Sequence, residues 1–502
     1  MAAVLSAARA VRRSLSRRPR VTRRRAALGG GAVAAAGAGV ATATLAQPDR
    51  RERVRRALRV WRLTARRGAS WVVLKVRGAA ADQEERERLE RSFAIRSAED
   101  VARELGAMKG AIMKVGQMVS FIADGLPPEA RAALESLQAD VPPMAPSLAA
   151  SVVRDDLGDD PERVFLDWDP VPVAAASIGQ VHKAVLRDGR LVAVKVQYPG
   201  VDRAIKGDLD NAEWLYSLFA AVALPSLDVR SLVDELRARM TDELDYHLEA
   251  ERQTAFADRY RGHPFIAVPD VVPDVSGRRV LTSEWVEGQR MAEFLDTASA
   301  EAKHRAGEVV FRFAQGSVFH HRVFNGDPHP GNYFFAPDGS VTFLDFGLVK
   351  RWTKEEWESL TPVLDPLLAE DAPGTVAALI RAGFLRPDHG QPADRIFEYV
   401  SSPYVPYLSD EFTFTRAWTS ETLAKLLDIR GPYGPVMAVL DMPASFVILD
   451  RVVWGVSALL GRLQASGNWG ALLAEYRKDL PPTTELGRIE QEWWRSRRAA
   501  PV

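Results

Sequence analysis

Between Asn325 and Asn332 the sequence reads Asn-Gly-Asp-Pro-His-Pro-Gly-Asn, and Asp345-Phe346-Gly347 begins 13 positions after Asn332. A loop that offers Asp327, then Asn332, then the carboxylate of Asp345 directly after a hydrophobic run provides hard oxygen ligands suited to Mg²⁺. One carboxylate is left to orient an attacking hydroxyl or water, which is what phosphoryl transfer requires. Upstream, Val192-Ala193-Val194-Lys195 places a single Lys among apolar neighbours on a strand-like run. A cation held there needs an anion. A phosphate supplies one, and so does a carboxylate from the acidic stretch 242–251, either Glu243 or Glu249. Each signal alone is common; the order strand Lys, helical Glu, Asp-x-x-x-x-Asn, Asp-Phe-Gly is what makes a kinase-like nucleotide site the reading.

These groups need elements to hold them. Val181 to Leu186 and Leu191 to Val196 are β-prone runs separated by Arg187-Asp188-Gly189-Arg190, whose Asp-Gly centre predicts a tight hairpin. Further strands are expected over 266–272, 280–286 and 341–344, and a loop over 325–332. Val101, Leu105, Met108, Ile112, Val115, Val119 and Ile122 step by four and three, the stripe of an amphipathic helix that Pro127-Pro128 ends. Helical pattern also covers about 201–260 and most of the chain after Met291. A small sheet with one helical insertion followed by a larger helical lobe is an α+β fold.

Three more segments carry a family resemblance. Lys114-Val115-Gly116-Gln117 reads as a KxGQ signature, Ala174-Ala175-Ala176-Ser177-Ile178-Gly179-Gln180 as an Ala-rich loop, and Glu243-Leu244-Asp245 as an ExD motif. With them, residues from about 95 to 480 resemble the UbiB (AarF-type) atypical kinase family. That resemblance implies a bilobal protein-kinase-like fold with an N-terminal helical extension. It implies that Lys195 pairs with Glu249 and reaches the α- and β-phosphates of ATP or ADP, that Asp327 is the catalytic-loop Asp, and that Asn332 and Asp345 hold Mg²⁺. Glu284 to Val286 would form the hinge that carries the adenine, and Ala174 to Gln180 would stand where protein kinases have a Gly-rich loop.

Lys114 and Gln117 lie three apart and project from one side of their helix. If Lys114 approaches Glu243 or Asp245, that helix partly fills the cleft where a protein substrate would enter, the autoinhibition the resemblance implies. Three consecutive Ala restrict the positive φ and close phosphate approach that Gly allows, so the loop should bind phosphates in a different pose, with Gly179 as the one permissive position; altered nucleotide preference and poor protein-kinase activity are what the resemblance implies. One residue departs from the family pattern. Asn325 stands two before Asp327, where the family usually has His; Asn can hydrogen-bond but cannot titrate near neutrality. His320 and His321 are candidates to compensate, and His329 to order the loop.

The composition bounds the remaining possibilities. The absence of Cys excludes disulfides, thiolate metal sites and Cys nucleophiles, and the 47% hydrophobic content excludes a disordered polymer. Although 66 Lys+Arg balance 66 Asp+Glu, residues 1 to 78 hold 20 of the basic residues against Asp49 and Glu52 alone, so a +18 arm is joined to a −18 body. Ala26 to Gln47 is uncharged and, at about 1.5 Å per residue, long enough to cross a bilayer. Against a spanning helix, 14 of the 20 residues from Ala27 to Ala46 are Ala or Gly. Thr22-Arg23-Arg24-Arg25 also fits an export signal, but ATP chemistry is cytoplasmic, so retention is the reading, with the arm associated with a membrane by insertion or by electrostatics on anionic lipid, or else a disordered leader. Nucleic acid is not expected, since no aromatic or groove-reading pattern accompanies the arm. Nothing in the sequence settles an oligomeric state.

The chain is thus divided into a basic arm (1–78), a helical extension carrying the KxGQ motif (79–165), an N-lobe (166–290) and a helical C-lobe (291–502). The leading expectation is an Mg²⁺-dependent ATP-binding kinase or ATPase. The resemblance adds isoprenoid lipid or quinone metabolism and partner proteins of that pathway. A non-catalytic nucleotide-sensing scaffold is one alternative; a small-molecule kinase of the aminoglycoside or choline type is another.

Overall fold

The computed structural model describes residues 144–176, 178–201, 242, 244–428, 431–441 and 444–499. The basic arm, the segment 101–122 expected to be helical with Lys114, Gly116 and Gln117, and also Ser177, Glu243 and most of the expected helical insertion lie outside the described residues.

The smaller lobe is an antiparallel sheet ordered β1 (Asp167–Trp168), β3 (Gly179–Val185), β4 (Leu191–Gln197), β6 (Val280–Glu284), with β2 (Ala174–Ala176) also paired to β3. The β3–β4 hairpin turns at the expected place. Val185 pairs with Leu191, Gly189 takes φ +90°, and the Asp188 carboxylate accepts the Arg190 N–H at 3.0 Å. Strand alternation puts Val192, Val194 and Val196 in one core with Val152 and Val153 of helix α1 (Pro146–Leu157) and with Phe165, and so turns Lys195 to the opposite face. Burying each Val contributes roughly 1.5–3 kcal/mol. A one-residue slip would exchange them for the Lys195 ammonium, so the register is firmly specified.

The run 266–272 is not one strand. Pro269, which has no N–H, divides it. Ile266–Ala267 (β5) pairs in parallel with the larger lobe's β9 (Val341–Phe343), while the Val272 N–H bonds to the Thr282 carbonyl of β6 at 2.8 Å. Between these two sheets runs α2 (Tyr246–Tyr260), whose Gln253 Nε2 donates to the Pro269 carbonyl at 2.8 Å.

The larger lobe is built on α3 (Ala300–Gln315), which buries Val309, Val310, Phe311 and Phe313. After it come β7 (Val323–Asn325), β8 (Tyr333–Phe335), paired with β9, and β10 (Val349–Arg351), paired with β7. Phe313 stacks on Phe343 with ring centroids 3.7 Å apart, which locks β9 to α3. The helices α4 (Ala444–Leu463), α5 (Trp469–Lys478) and α6 (Glu485–Ala499) complete the core around α3. This α+β arrangement is the class expected from the sequence. Among the described residues, no helix is long and apolar enough to cross a membrane.

Candidate active site

Lys195 sits mid-strand on β4, and its Nζ donates to both carboxylate oxygens of Glu249, at 2.8 and 2.9 Å. Of the two acids left open by the sequence, Glu249 is the one in this contact. It lies in the first turn of α2, where the helix dipole favours a carboxylate, and Asp245 caps that helix by accepting the His247 N–H at 3.1 Å. Lys195 Nζ also lies 3.5 Å from Asp345 Oδ2 and 5.1 Å from the Tyr246 ring centroid. Burial by itself would lower the lysine pKa. Asp345 and Glu249, with Tyr246, outweigh it and hold the ammonium well above its ordinary value.

Below this pair, the segment between β7 and β8 carries Asp327, which is buried. Its backbone N–H donates to Asn325 Oδ1 at 2.8 Å, while Asn325 Nδ2 donates to the Asp345 carbonyl at 2.6 Å. Asn325 therefore ties the Asp327 loop to the Asp345 loop through neutral hydrogen bonds, a task that needs no titrating group. Asn332 Nδ2 donates to both the carbonyl and Oδ2 of Asp327, each at 3.1 Å, and the Leu344 N–H reaches the Asn332 carbonyl at 3.0 Å. His329 orders the loop by accepting the Gly331 N–H at 3.1 Å. Replacing Asn325 by Ala leaves part-buried partners unmet, and the unfolding free energy should fall by about 1–3 kcal/mol in a urea titration. A change below about 0.5 kcal/mol would mean that water takes over the bridge.

Several expected site residues are placed elsewhere. Gln180 is buried on the α1 face of the sheet, where Oε1 accepts the Met144 N–H at 2.9 Å and Nε2 meets His182 Nε2 at 2.8 Å; strand alternation directs it away from Lys195. Glu284 pairs with Val192, its N–H donates to the Asp270 carbonyl at 2.9 Å and its Oε2 accepts the Asp270 N–H at 3.2 Å, so of Glu284 only the carbonyl, with the Val286 backbone beyond it, is left to serve as a hinge. Asp245 is occupied as a helix cap. Ala174, Ala175 and Ala176 form a strand on β3 rather than a loop, Ile178 is buried, and Gly179 pairs with Gln197. Gly179 is needed for space, not for positive φ, because a Cβ there would run into the Val196 carbonyl oxygen. His321 faces Tyr260 and Trp494, and His320 faces Tyr476, so neither compensates for Asn325.

Two residues escaped the sequence reading. Arg252, one turn after Glu249, donates to the Gly347 carbonyl at 2.6 Å and to Asp242 Oδ2 at 3.0 Å; its spacing from Glu249 was a usable signal. Arg451, on α4, donates to Asp327 Oδ1 across 124 positions, and no local pattern announces it.

The donor set suits Mg²⁺. This ion prefers one or two carboxylates, neutral oxygens and substrate phosphates to an all-protein cage. Asp345 and Asn332 supply one carboxylate and one amide oxygen on loops stitched together by Leu344 and Asn325. Among the described residues there is no cluster of three or more acidic or His groups that could hold a metal alone.

A two-lobed α+β fold with a Lys–Glu pair above an Asp-x-x-x-x-Asn loop defines a kinase-like domain. Residues 136–378 match the family described as the ABC1 atypical kinase-like domain. The chain belongs to this ABC1 (AarF) family. It is 34% identical over 281 residues to the chloroplastic protein ACTIVITY OF BC1 COMPLEX KINASE 3 of Arabidopsis thaliana, covering 55% of this chain and 39% of that one. It is 35% identical over 259 residues to the AarF domain-containing protein kinase 1 of Mus musculus, covering 50% and 48%. The chain thus spans less than half the length of these two curated relatives. A solved structure, the complex of Rv3197 with erythromycin from Mycobacterium tuberculosis, is similar at a TM-score of 0.56 and 32% identity, covering 78% of this chain and 97% of that one.

Proposed function

We propose that this protein is an Mg²⁺-dependent ATP-binding atypical kinase or ATPase. The observation that carries the reading is Lys195, bonded to both oxygens of Glu249 and 3.5 Å from Asp345, which Asn325 links to Asp327. In this reading Lys195 meets the α- and β-phosphates, and Glu249 keeps its ammonium aimed at them. The metal, held by Asn332 and Asp345, offsets charge on the phosphates when bound. Asp327 orients the acceptor hydroxyl or water and takes its proton. The Glu284 carbonyl and the Val286 backbone receive the adenine, and the β2–β3 hairpin covers the phosphates.

Only Leu348 to Thr353 separate Gly347 from the helix Lys354–Leu360, and Thr353 and Glu356 close that helix with a capping box. So short a link leaves little platform for a protein substrate, which supports a small or lipidic acceptor. Support at an anionic membrane and a role in isoprenoid or quinone metabolism are the finer part of the proposal; they draw on the basic arm and on the family. A regulatory role for Lys114, Gly116, Gln117 and Glu243 stands with them.

Thermal-shift titration of the full chain with MgATP and MgADP, with and without anionic vesicles, tests this. Saturation at 100 times the dissociation constant should stabilise the protein by about 2.7 kcal/mol. Lys195→Ala should abolish that shift while leaving the unliganded protein folded. A wild-type protein indifferent to both nucleotides would remove the reading; tight binding without phosphate release would favour the scaffold. Because the Rv3197 structure is a complex with erythromycin, a macrolide is the second ligand class to titrate. A shift with erythromycin and none with nucleotide would favour it.

A further inference from the structure

Phosphoryl transfer builds negative charge on the phosphate being moved, and enzymes of this chemistry place a cation beside it, in cis or in trans. The loop from Asn325 to Asn332 contains neither Lys nor Arg. Lys195 is bonded to both oxygens of Glu249 and meets Asp345 at its carboxylate, whereas the Asn325–Asp327 link holds Asp345 by its carbonyl. Among the described residues, Arg451 of α4 is a cation that reaches Asp327, its Nη2 meeting Asp327 Oδ1.

The contact is built into the packing of α4. A Cβ on Gly326 would come within 2.7 Å of Ile448 Cγ2, and a Cβ on Gly455 would run into the Pro328 ring. One glycine in Asp327's loop and one on the helix thus let α4 lie directly on the loop, with Arg451 between the two contact points. The Arg451 side chain is 14% exposed and that of Asp327 5%, so the pair is largely shielded from bulk water without being sealed off. A guanidinium presents five N–H donors in a planar fork, so one arm can stay on a carboxylate while another meets a phosphate oxygen.

We propose that Arg451 is the cation of the transfer step, delivered by α4 in place of a loop Lys or Arg. This rests on the nucleotide reading above. In the transfer, the bond from the terminal phosphorus to the β,γ-bridging oxygen breaks and a bond to the acceptor oxygen forms. ADP leaves with the bridging electron pair, and the acceptor proton passes to Asp327. Arg451 stabilises the charge on the phosphoryl oxygens between those two events. Before nucleotide arrives it neutralises Asp327.

The full chain is titrated by calorimetry with MgADP, and then with MgADP plus aluminium fluoride, which mimics the phosphoryl group in flight. Wild type should bind the fluoride complex about 100-fold more tightly than MgADP. Arg451→Ala should bind MgADP within about twofold of wild type yet lose the fluoride gain, and Arg451→Lys should recover part of it. Should the Ala variant fail to fold, Arg451→Met keeps the unbranched stem and carries the same comparison. A variant that retains the fluoride gain, or a wild type that binds MgADP without any such gain, overturns the inference and leaves the nucleotide reading standing. Loss of MgADP affinity in step with the fluoride gain assigns Arg451 to packing instead. A wild type that binds no MgADP removes the reading, and the inference with it.

Discussion

Asp345→Asn should lower phosphate release by roughly 10³-fold, equivalent to about 4 kcal/mol of barrier, while the protein stays folded. Asn matches Asp in shape and can keep accepting the Gly347 N–H, a bond of 3.0 Å made by Asp345 Oδ1. The Lys195–Glu249 contact does not depend on it. What the substitution removes is one negative charge from the proposed metal position and from the neighbourhood of Lys195. A magnesium titration separates these effects: the variant should need much more Mg²⁺ for any residual turnover, with nucleotide affinity in the absence of metal little changed. Unaltered phosphate release would sink the assignment of Asp345.

The second large effect concerns stability. Arg312 on α3 has a side chain only 1% exposed. It donates to Glu308 at 2.7 Å, to Glu475 at 2.9 Å, to Glu490 at 3.1 Å and to the Thr484 hydroxyl at 2.8 Å. Burial opposes the charge, but Tyr476 and the three carboxylates outweigh it and raise the guanidinium pKa. Removing the cation alone strands buried carboxylates, so Arg312→Met should cost about 3–5 kcal/mol of unfolding free energy in a guanidinium chloride titration. Glu490→Gln should cost less, since Glu308 and Glu475 remain. The consequence reaches the site, because Glu475 lies on α5 and Glu490 on α6. From α6, Arg497 donates to the Arg259 and Arg261 carbonyls, at 3.0 and 3.1 Å, at the far end of the helix that carries Glu249. A loss below about 1 kcal/mol would show that the cluster is solvated or replaceable.

Much of the frame was legible because its signals are local. The hairpin at Asp188-Gly189 is announced by its turn residues, and the alternation in Val192-Ala193-Val194-Lys195-Val196 separates a core face from a polar one with a period of two. The order of Lys195, Glu249, Asp327, Asn332 and Asp345 along the chain was equally plain, since the loop and strand motifs that carry these residues are short. The α+β class followed from the sequence of patterns.

The sequence by itself therefore determined which groups are available and which strand face each occupies, because covalent spacing and backbone periodicity act over a few residues. Only the tertiary structure decided that Glu249 meets Lys195, that Gln180 turns to Met144 and His182, that 266–272 is shared between two sheets, and that Arg451 reaches Asp327. These outcomes depend on how helices dock on sheets and loops. Close approach between residues distant in sequence, 54 positions apart for Lys195 and Glu249 and 124 for Asp327 and Arg451, is set by packing volume and by the pairing of buried charge, neither of which leaves a periodic trace in the chain.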